Sequence, residues 1–171
     1  MYDAPTTVVI AIVVCVTEKE KDVARRVELE LSDYLPFLVN RVGVAIVEGF
    51  TAEQLKKEGL TIYTWRVLAV LAGGGPQRQV DLVEMTSVDA PTISRVVSRL
   101  VHDGLVTRRR STTSNREVEV ALTYKGAAAV RRLTPNALHW EERALRGFSS
   151  SEAATVKRLL ARMYENLTAE R

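Results

Sequence analysis

Apolar residues recur three and four positions apart along most of the chain after Glu30, which is the spacing of one face of an α-helix. Residues that suit a helix N-cap stand just before four of these segments: Thr61, Asp89, Thr123 and Ser149. Glycines that suit a helix end follow four of the segments: Gly59, Gly73, Gly104 and Gly147. Six helices are therefore predicted, over residues 32–57, 62–72, 79–86, 90–103, 124–146 and 150–167.

Two of these segments contain a proline. Pro36 is tolerated only near a first turn, so the first helix is predicted to start around Ser32 or Asp33. Pro135 lies well inside the fifth segment and is predicted to kink or bend that helix at Thr134.

Between the fourth and fifth helices the pattern changes to that of a β-hairpin. Residues 105–111 and 116–123 flank a polar turn at 112–115, and Val118, Val120 and Leu122 alternate with Glu117, Glu119 and Ala121. A short helix pair followed by a hairpin predicts a winged helix-turn-helix. The expected fold class is mainly α with a small β-hairpin wing (α+β), flanked by helical arms.

The apolar run at residues 6–16 fits none of these helices. It is too short for a membrane span, which needs roughly 20 apolar residues, and it lacks the basic leader of a signal peptide. Its β-branched residues favour a strand or a packing arm. A translation start placed too far upstream explains the run equally well.

The segment at residues 90–103 has an unusual outer face. At about 100° per residue, Ile93, Val96, Val97 and Leu100 fall within one narrow sector. The opposite face carries small hydroxyl side chains, two arginines and no acid before Asp103. Small side chains let a helix enter the roughly 12 Å wide major groove of DNA, where Arg binds guanine. An ordinary solvated helix with incidental serines is the competing interpretation.

The hairpin favours the DNA interpretation. Arg108, Arg109 and Arg110 are consecutive, Arg116 closes the turn, and no acid lies between Val106 and Arg116. A loop of one sign suits a surface that lies along phosphates. The alternative is a basic turn whose charges are paired with Glu117 and Glu119.

Composition excludes several other classes of function. Net charge is +3, yet 18 of the 24 basic residues are Arg, the cation best suited to phosphate and guanine. The single Cys15 excludes an internal disulfide and a multi-cysteine zinc site. Nucleophilic catalysis needs a base beside a nucleophile, yet His102 and His139 are the only two histidines in the sequence. The run GGGP at 73–76 lacks the Lys or Ser/Thr that follows the glycines of a phosphate-binding loop. No enzyme activity, catalytic residue, metal or cofactor is predicted.

Residues 60–167 resemble the multiple-antibiotic-resistance repressor (MarR) family of transcription regulators. Its second helix is similar to LTIYTWRVLAVLA at 60–72, and its helix-turn-helix to QVDLVEMTSVDAPTISRVVSRLVHDGLVTRR at 79–109. Its returning wing strand and next helix start are similar to REVEVALTYKGAAAV at 116–130. These pieces in this order are highly specific, although each alone is not.

The resemblance implies a repressor that binds a pseudo-palindromic operator in double-stranded DNA as a homodimer in a prokaryotic cytoplasm, without a membrane partner. The implied division is an N-terminal extension without an assigned structure (1–29), a first dimerisation helix (30–60), a DNA-binding lobe (61–123) and C-terminal dimerisation helices (124–171). Apolar stripes on the end helices support dimerisation physically. The alternative is that these helices pack within their own fold.

The implied DNA-binding residues fall into three groups. The recognition helix would supply Pro91, Thr92, Ser94, Arg95, Ser98 and Arg99. The wing would supply Arg108, Arg109, Arg110, Ser114 and Arg116. Contacts to the DNA backbone are expected from Arg78 and Gln79. The family usually has an Asp where this chain has Ser114, so the charge that orients the wing arginine is absent.

A small aromatic or phenolic acid releases many members of this family from DNA. The residues that would line such a cavity here are Tyr34, Tyr63, Trp65 and Arg66. Ordinary packing of the arm against the lobe is the alternative for each. A redox-sensing role for Cys15, or a winged helix that contacts protein and not DNA, are the other functions weighed.

Overall fold

The computed structural model describes residues 9–11, 28–110 and 118–169, which belong to two compact units, residues 1–46 and 47–171. In the first unit β1, Val9–Ala11, pairs antiparallel with β2, Glu28–Glu30. Three residues of the N-terminal apolar run thus form a strand, which is one of the structures that its composition favours. Cys15 and the remainder of that run lie outside the described residues.

Helix α1, Leu35–Glu53, begins in the first unit and ends in the second. It starts two to three residues later than predicted, which places Pro36 in its first turn, where the missing N–H costs nothing. Its predicted last turn is instead a separate 3₁₀ helix, Leu55–Glu58, which ends at Gly59 with φ 67°. By length and composition alone α1 would also fit a membrane, but one such helix near an N-terminus is weak evidence for a span.

The second unit contains the remaining elements in chain order. They are α2 (Ile62–Gly74), β3 (Gln77–Arg78), α3 (Gln79–Thr86), α4 (Ala90–His102), β4 (Val106–Arg110), β5 (Val118–Leu122), α5 (Tyr124–Ala144) and α6 (Ser150–Thr168). The expected mainly helical fold with a small wing is confirmed. The two-residue β3 was not expected: it pairs with β5, giving an antiparallel sheet in the order β3-β5-β4.

One hydrophobic core joins the helix pair to the wing. Residues with no exposed surface come from α2, α3, α4 and β5, among them Leu68, Leu82, Leu100 and Val120. Burying each such side chain stabilises the fold by roughly 1.5–3 kcal/mol. The position of α4 relative to the sheet is therefore fixed by packing.

The entrance to the wing is locked to the start of α5. The Thr123 side chain caps this helix by accepting a hydrogen bond from the Gly126 amide at 3.0 Å, and it also donates to the Gly104 carbonyl at 2.8 Å. Gly126 lies directly against the backbone of Leu105, with no room for a Cβ. The first turn of α5 and the first residue of the wing therefore form one rigid joint.

The two C-terminal helices lie close to their predicted bounds. Helix α5 runs through Pro135 without interruption and ends at Ala144, slightly before the predicted end. The predicted capping box of α6 is confirmed, because the Ser149 amide donates to Glu152 at 2.8 Å and the Glu152 amide donates to Ser149 at 3.3 Å. No residue of α6 is buried.

Candidate nucleic-acid interface

Helix α4 is preceded by a tight turn and an effective cap. Ser87 adopts the left-handed conformation with φ 53°, which ends α3 and turns the chain. Asp89 accepts a hydrogen bond from the Thr92 amide at 2.8 Å, and Pro91 occupies the first turn. This hydrogen bond lowers the pKa of Asp89, and the charge of Arg95 adds a smaller effect. The carboxylate therefore stays ionised and holds the N-terminus of α4.

The two faces of α4 separate as the sequence period predicts. Ile93, Val96, Val97 and Leu100 are buried in the core. The predicted DNA-contacting positions are exposed except for the partly buried Thr92; these exposed residues are Pro91, Ser94, Arg95, Ser98 and Arg99. The face that carries them is free of acidic side chains from Ala90 to His102.

The two arginines of α4 have different local partners. Arg95 donates from Nη2 to the hydroxyl of Thr92 at 3.1 Å. Arg99 donates from Nε to the carboxylate of Asp103 at 2.8 Å, and His102 and Arg99 lower the pKa of that carboxyl. Sequence reasoning missed this role of Asp103, although an acid four residues after an arginine in a helix is a usable signal.

A hydrogen bond joins the wing to α4. The guanidinium of Arg108, in β4, donates from Nη2 to the hydroxyl of Ser98 at 3.1 Å. Arg108 is paired in register with Val120, which is fully buried, so both side chains are on the sheet face that packs against the core. Arg108 itself is exposed, and on this side of the sheet its guanidinium meets Ser98 on the exposed face of α4.

The neighbouring Arg109 is on the opposite face of the sheet. Its register partner is Glu119, which is also paired with Arg78 of β3. Successive residues of a strand alternate in direction, which is why Arg108 and Arg109 do not share a face of the sheet. On this outer face, Glu119 lies between Arg78 and Arg109.

The tip of the wing lies outside the described residues. The predicted contacts Ser114 and Arg116, and the alternative partner Glu117, belong to it. The backbone of Arg110 is described as the last residue of β4. The proposed roles of these residues remain predictions.

The two residues expected to contact the DNA backbone stand at the start of α3. Arg78 is its N-cap residue and forms a bidentate ion pair with Asp81 at 2.7 and 2.8 Å. Gln79 is the first residue of the helix and is partly buried. The ion pair fixes the guanidinium at the surface beside the helix start.

Three of the four candidate effector residues belong to α2 in the second unit. Tyr34 belongs to the first unit. On α2, Tyr63 and Arg66 are exposed one turn apart, whereas Trp65 is partly buried and packs edge-on against Phe50 with ring centroids 5.5 Å apart. In the second unit, Trp65 thus has the packing role that was weighed as the alternative.

Comparisons with known proteins agree with this architecture. Residues 58–117 match the model of the MarR family. The chain is 33% identical over 100 residues to the uncharacterized HTH-type transcriptional regulator YwoH of Bacillus subtilis, covering 58% of this chain and 72% of that protein.

Two solved structures are also similar. One is that of Bordetella bronchiseptica BpsR, whose DNA binding is regulated by 6-hydroxynicotinic acid; it has a TM-score of 0.68 and 26% identity over 75% of this chain and 97% of that one. The other, a mutant MarR of E. coli complexed with operator DNA, has a TM-score of 0.67 and 25% identity over 75% and 92%. On these matches, the chain belongs to the MarR family of winged helix-turn-helix transcription regulators.

Proposed function

We propose that this regulator binds a pseudo-palindromic operator in double-stranded DNA as a homodimer and represses transcription from it. The observation that carries the proposal is the hydrogen bond from Arg108 to Ser98. It makes the wing strand and the exposed face of α4 one surface with a fixed shape.

In this arrangement α4 enters the major groove. Its serines let the helix approach closely, and Arg95 binds the edge of a guanine. The face of α4 proposed to lie against DNA is the one predicted from the sequence, and it is formed by Pro91, Thr92, Ser94, Arg95, Ser98 and Arg99. The wing lies along the phosphates and reaches the adjacent minor groove with its tip. Arg78 and Gln79 contact the DNA backbone beside the start of α3.

The experiment that tests this function selects bound fragments from genomic DNA with the purified protein. We expect the sequenced fragments to share an inverted repeat whose half-sites are one helical turn apart. Binding should weaken steeply as salt rises, because phosphate contacts release counterions. A protein-contact module would enrich no shared repeat and would show no salt-dependent affinity for DNA.

Dimerisation is proposed through α1 and the C-terminal helices, with residues 61–123 as the DNA-binding lobe. Helix α1 exposes large apolar side chains, including Leu35, Val39 and Val42. Helix α6 exposes Leu160 and Leu167, the latter by 74%. Exposed apolar faces of this kind mark interaction surfaces, and a second copy would supply matching faces through two-fold symmetry.

Leu160→Glu is expected to convert the dimer to a monomer, because it places a charge in the apolar stripe of α6. Ala154→Glu is the matched control: it adds the same charge about 120° around the helix, at an exposed position. Sedimentation velocity at micromolar concentration measures both. A Leu160→Glu protein that sediments as the wild type would remove α6 from the proposed interface.

A small aromatic acid is proposed as the effector that releases DNA. Tyr63 and Arg66 offer an exposed ring and a guanidinium one turn apart on α2, which suits a ligand with an aromatic ring and a carboxylate. The DNA binding of BpsR is regulated by such a compound, 6-hydroxynicotinic acid. Repeating the fragment-binding measurement with this acid present tests the idea directly.

A further inference from the structure

We propose that Ser98 is a positioning residue, which holds Arg108 on the exposed face of α4 and so makes this wing-strand arginine part of the surface that reads the major groove. Arg108 would then contact DNA beside Arg95, and not along the outer edge of the wing. The inference rests on the proposed function and deepens it.

The hydroxyl of Ser98 is oriented by its own helix. Its Oγ donates to the Ser94 carbonyl, one turn earlier, at 2.8 Å. Because a hydroxyl has a single proton, the remaining hydrogen-bonding capacity of Oγ is that of an acceptor. Arg108 Nη2 occupies this acceptor at 3.1 Å. Ser98 therefore fixes the position of the Arg108 guanidinium relative to α4.

The strand fixes the other end of the Arg108 side chain. Its register partner Val120 is fully buried beneath the same sheet face. To join Arg109 on the outer face, Arg108 would have to shift β4 by one residue, which would expose Val106 and move every side chain of the strand to the other face. Arg108 is consequently committed to the side of the sheet where α4 lies.

The partner of each arginine decides how much of its charge is available to DNA. Arg99 is paired with the carboxylate of Asp103. Arg95 and Arg108 are each held by a neutral hydroxyl, and neither forms an ion pair with a described carboxylate. A guanidinium has five N–H donors, so one bond to a hydroxyl leaves donors for a phosphate or a guanine. Among the described arginines of this surface, Arg95 and Arg108 are thus the two that are oriented without a paired carboxylate.

Ser94 provides a matched control for Ser98. It is exposed on the same face of α4, one turn away, and its hydroxyl holds no arginine among the described side chains. Both serines contribute a hydroxyl of the same size to any direct contact with DNA. Only Ser98 should also affect DNA binding through Arg108.

The test measures affinity for a fragment recovered in the genomic selection, with the full-length protein. We expect Arg108→Ala to weaken binding by roughly tenfold or more and Ser98→Ala by about fivefold. Ser94→Ala should weaken binding less than Ser98→Ala, and its loss should be the same with or without Arg108. Ser98→Thr, which keeps the hydroxyl, should restore most of the Ser98→Ala loss. In the Arg108→Ala background, Ser98→Ala should have no further effect.

Several results would overturn the inference while leaving the proposed function intact. These are equal losses in the two serine variants, or a Ser98→Ala loss that persists in full without Arg108, since Ser98 would then contact DNA itself. If the wild-type protein selects no common fragment, the proposed function fails first. Circular dichroism melts of each variant exclude unfolding as the cause of a loss.

Discussion

Alanine in place of Gly126 is expected to destabilise the second unit by about 3 kcal/mol, because a buried joint would have to open to admit one methyl group. That methyl group would overlap the carbonyl oxygen of Leu105 and approach Leu122 Cδ2 to 3.1 Å. The carbonyl is backbone and also accepts a hydrogen bond from the Thr123 amide at 3.1 Å. It therefore cannot rotate away as a flexible side chain would.

A thermal melt followed by circular dichroism measures this effect, and a fall in Tm of roughly 6–12 °C is expected. Gly73→Ala is the control, since Gly73 is also helical and a Cβ there would meet nothing within 4 Å. Alanine has the higher helix propensity, so the control should be neutral or slightly stabilising. A Gly126→Ala protein with the same Tm as the wild type would contradict the close approach of α5 to the wing entrance.

Arg95→Ala is expected to weaken binding to the selected operator by between tenfold and a hundredfold, which is the range for losing a bidentate contact to guanine. Binding to a fragment with a scrambled repeat should fall much less. The operator should therefore lose most of its advantage over unrelated DNA. Fluorescence anisotropy titrations with both fragments, at one fixed salt concentration, measure the ratio.

Arg146→Ala removes the same charge just beyond the C-terminal end of α5 and serves as its control. It should change neither affinity by more than about twofold, because only long-range attraction is lost. Equal losses on operator and scrambled fragments in the Arg95→Ala protein would indicate a phosphate contact. No loss on either fragment would remove Arg95 from the interface.

The sequence predicted α4 well because local signals agree there. The spacing of Ile93, Val96, Val97 and Leu100 identified the buried face, and Asp89 and Gly104 identified the ends. The exposed set of small and basic residues followed from the same period. Tertiary contacts were not needed for any of these inferences.

The sequence did not predict the features that depend on partners distant in the chain. Two residues are too few to show a strand period, and β3 exists only because β5 pairs with it. The bond between Arg108 and Ser98 crosses the end of α4 and the turn after it. Strand alternation alone, however, would have separated Arg108 from Arg109, and this signal was available in the sequence.

Strand β5 pairs with the segment that enters α3 on one side and with the wing strand β4 on the other. The hydrogen bonds of both ladders would have to break before the spacing between helix pair and wing could change. The distance between the helix pair and the wing is thus fixed within one chain. In the proposed dimer, an effector would therefore lower affinity by changing the distance between the two DNA-binding lobes, so that only one of them matches its half-site at a time.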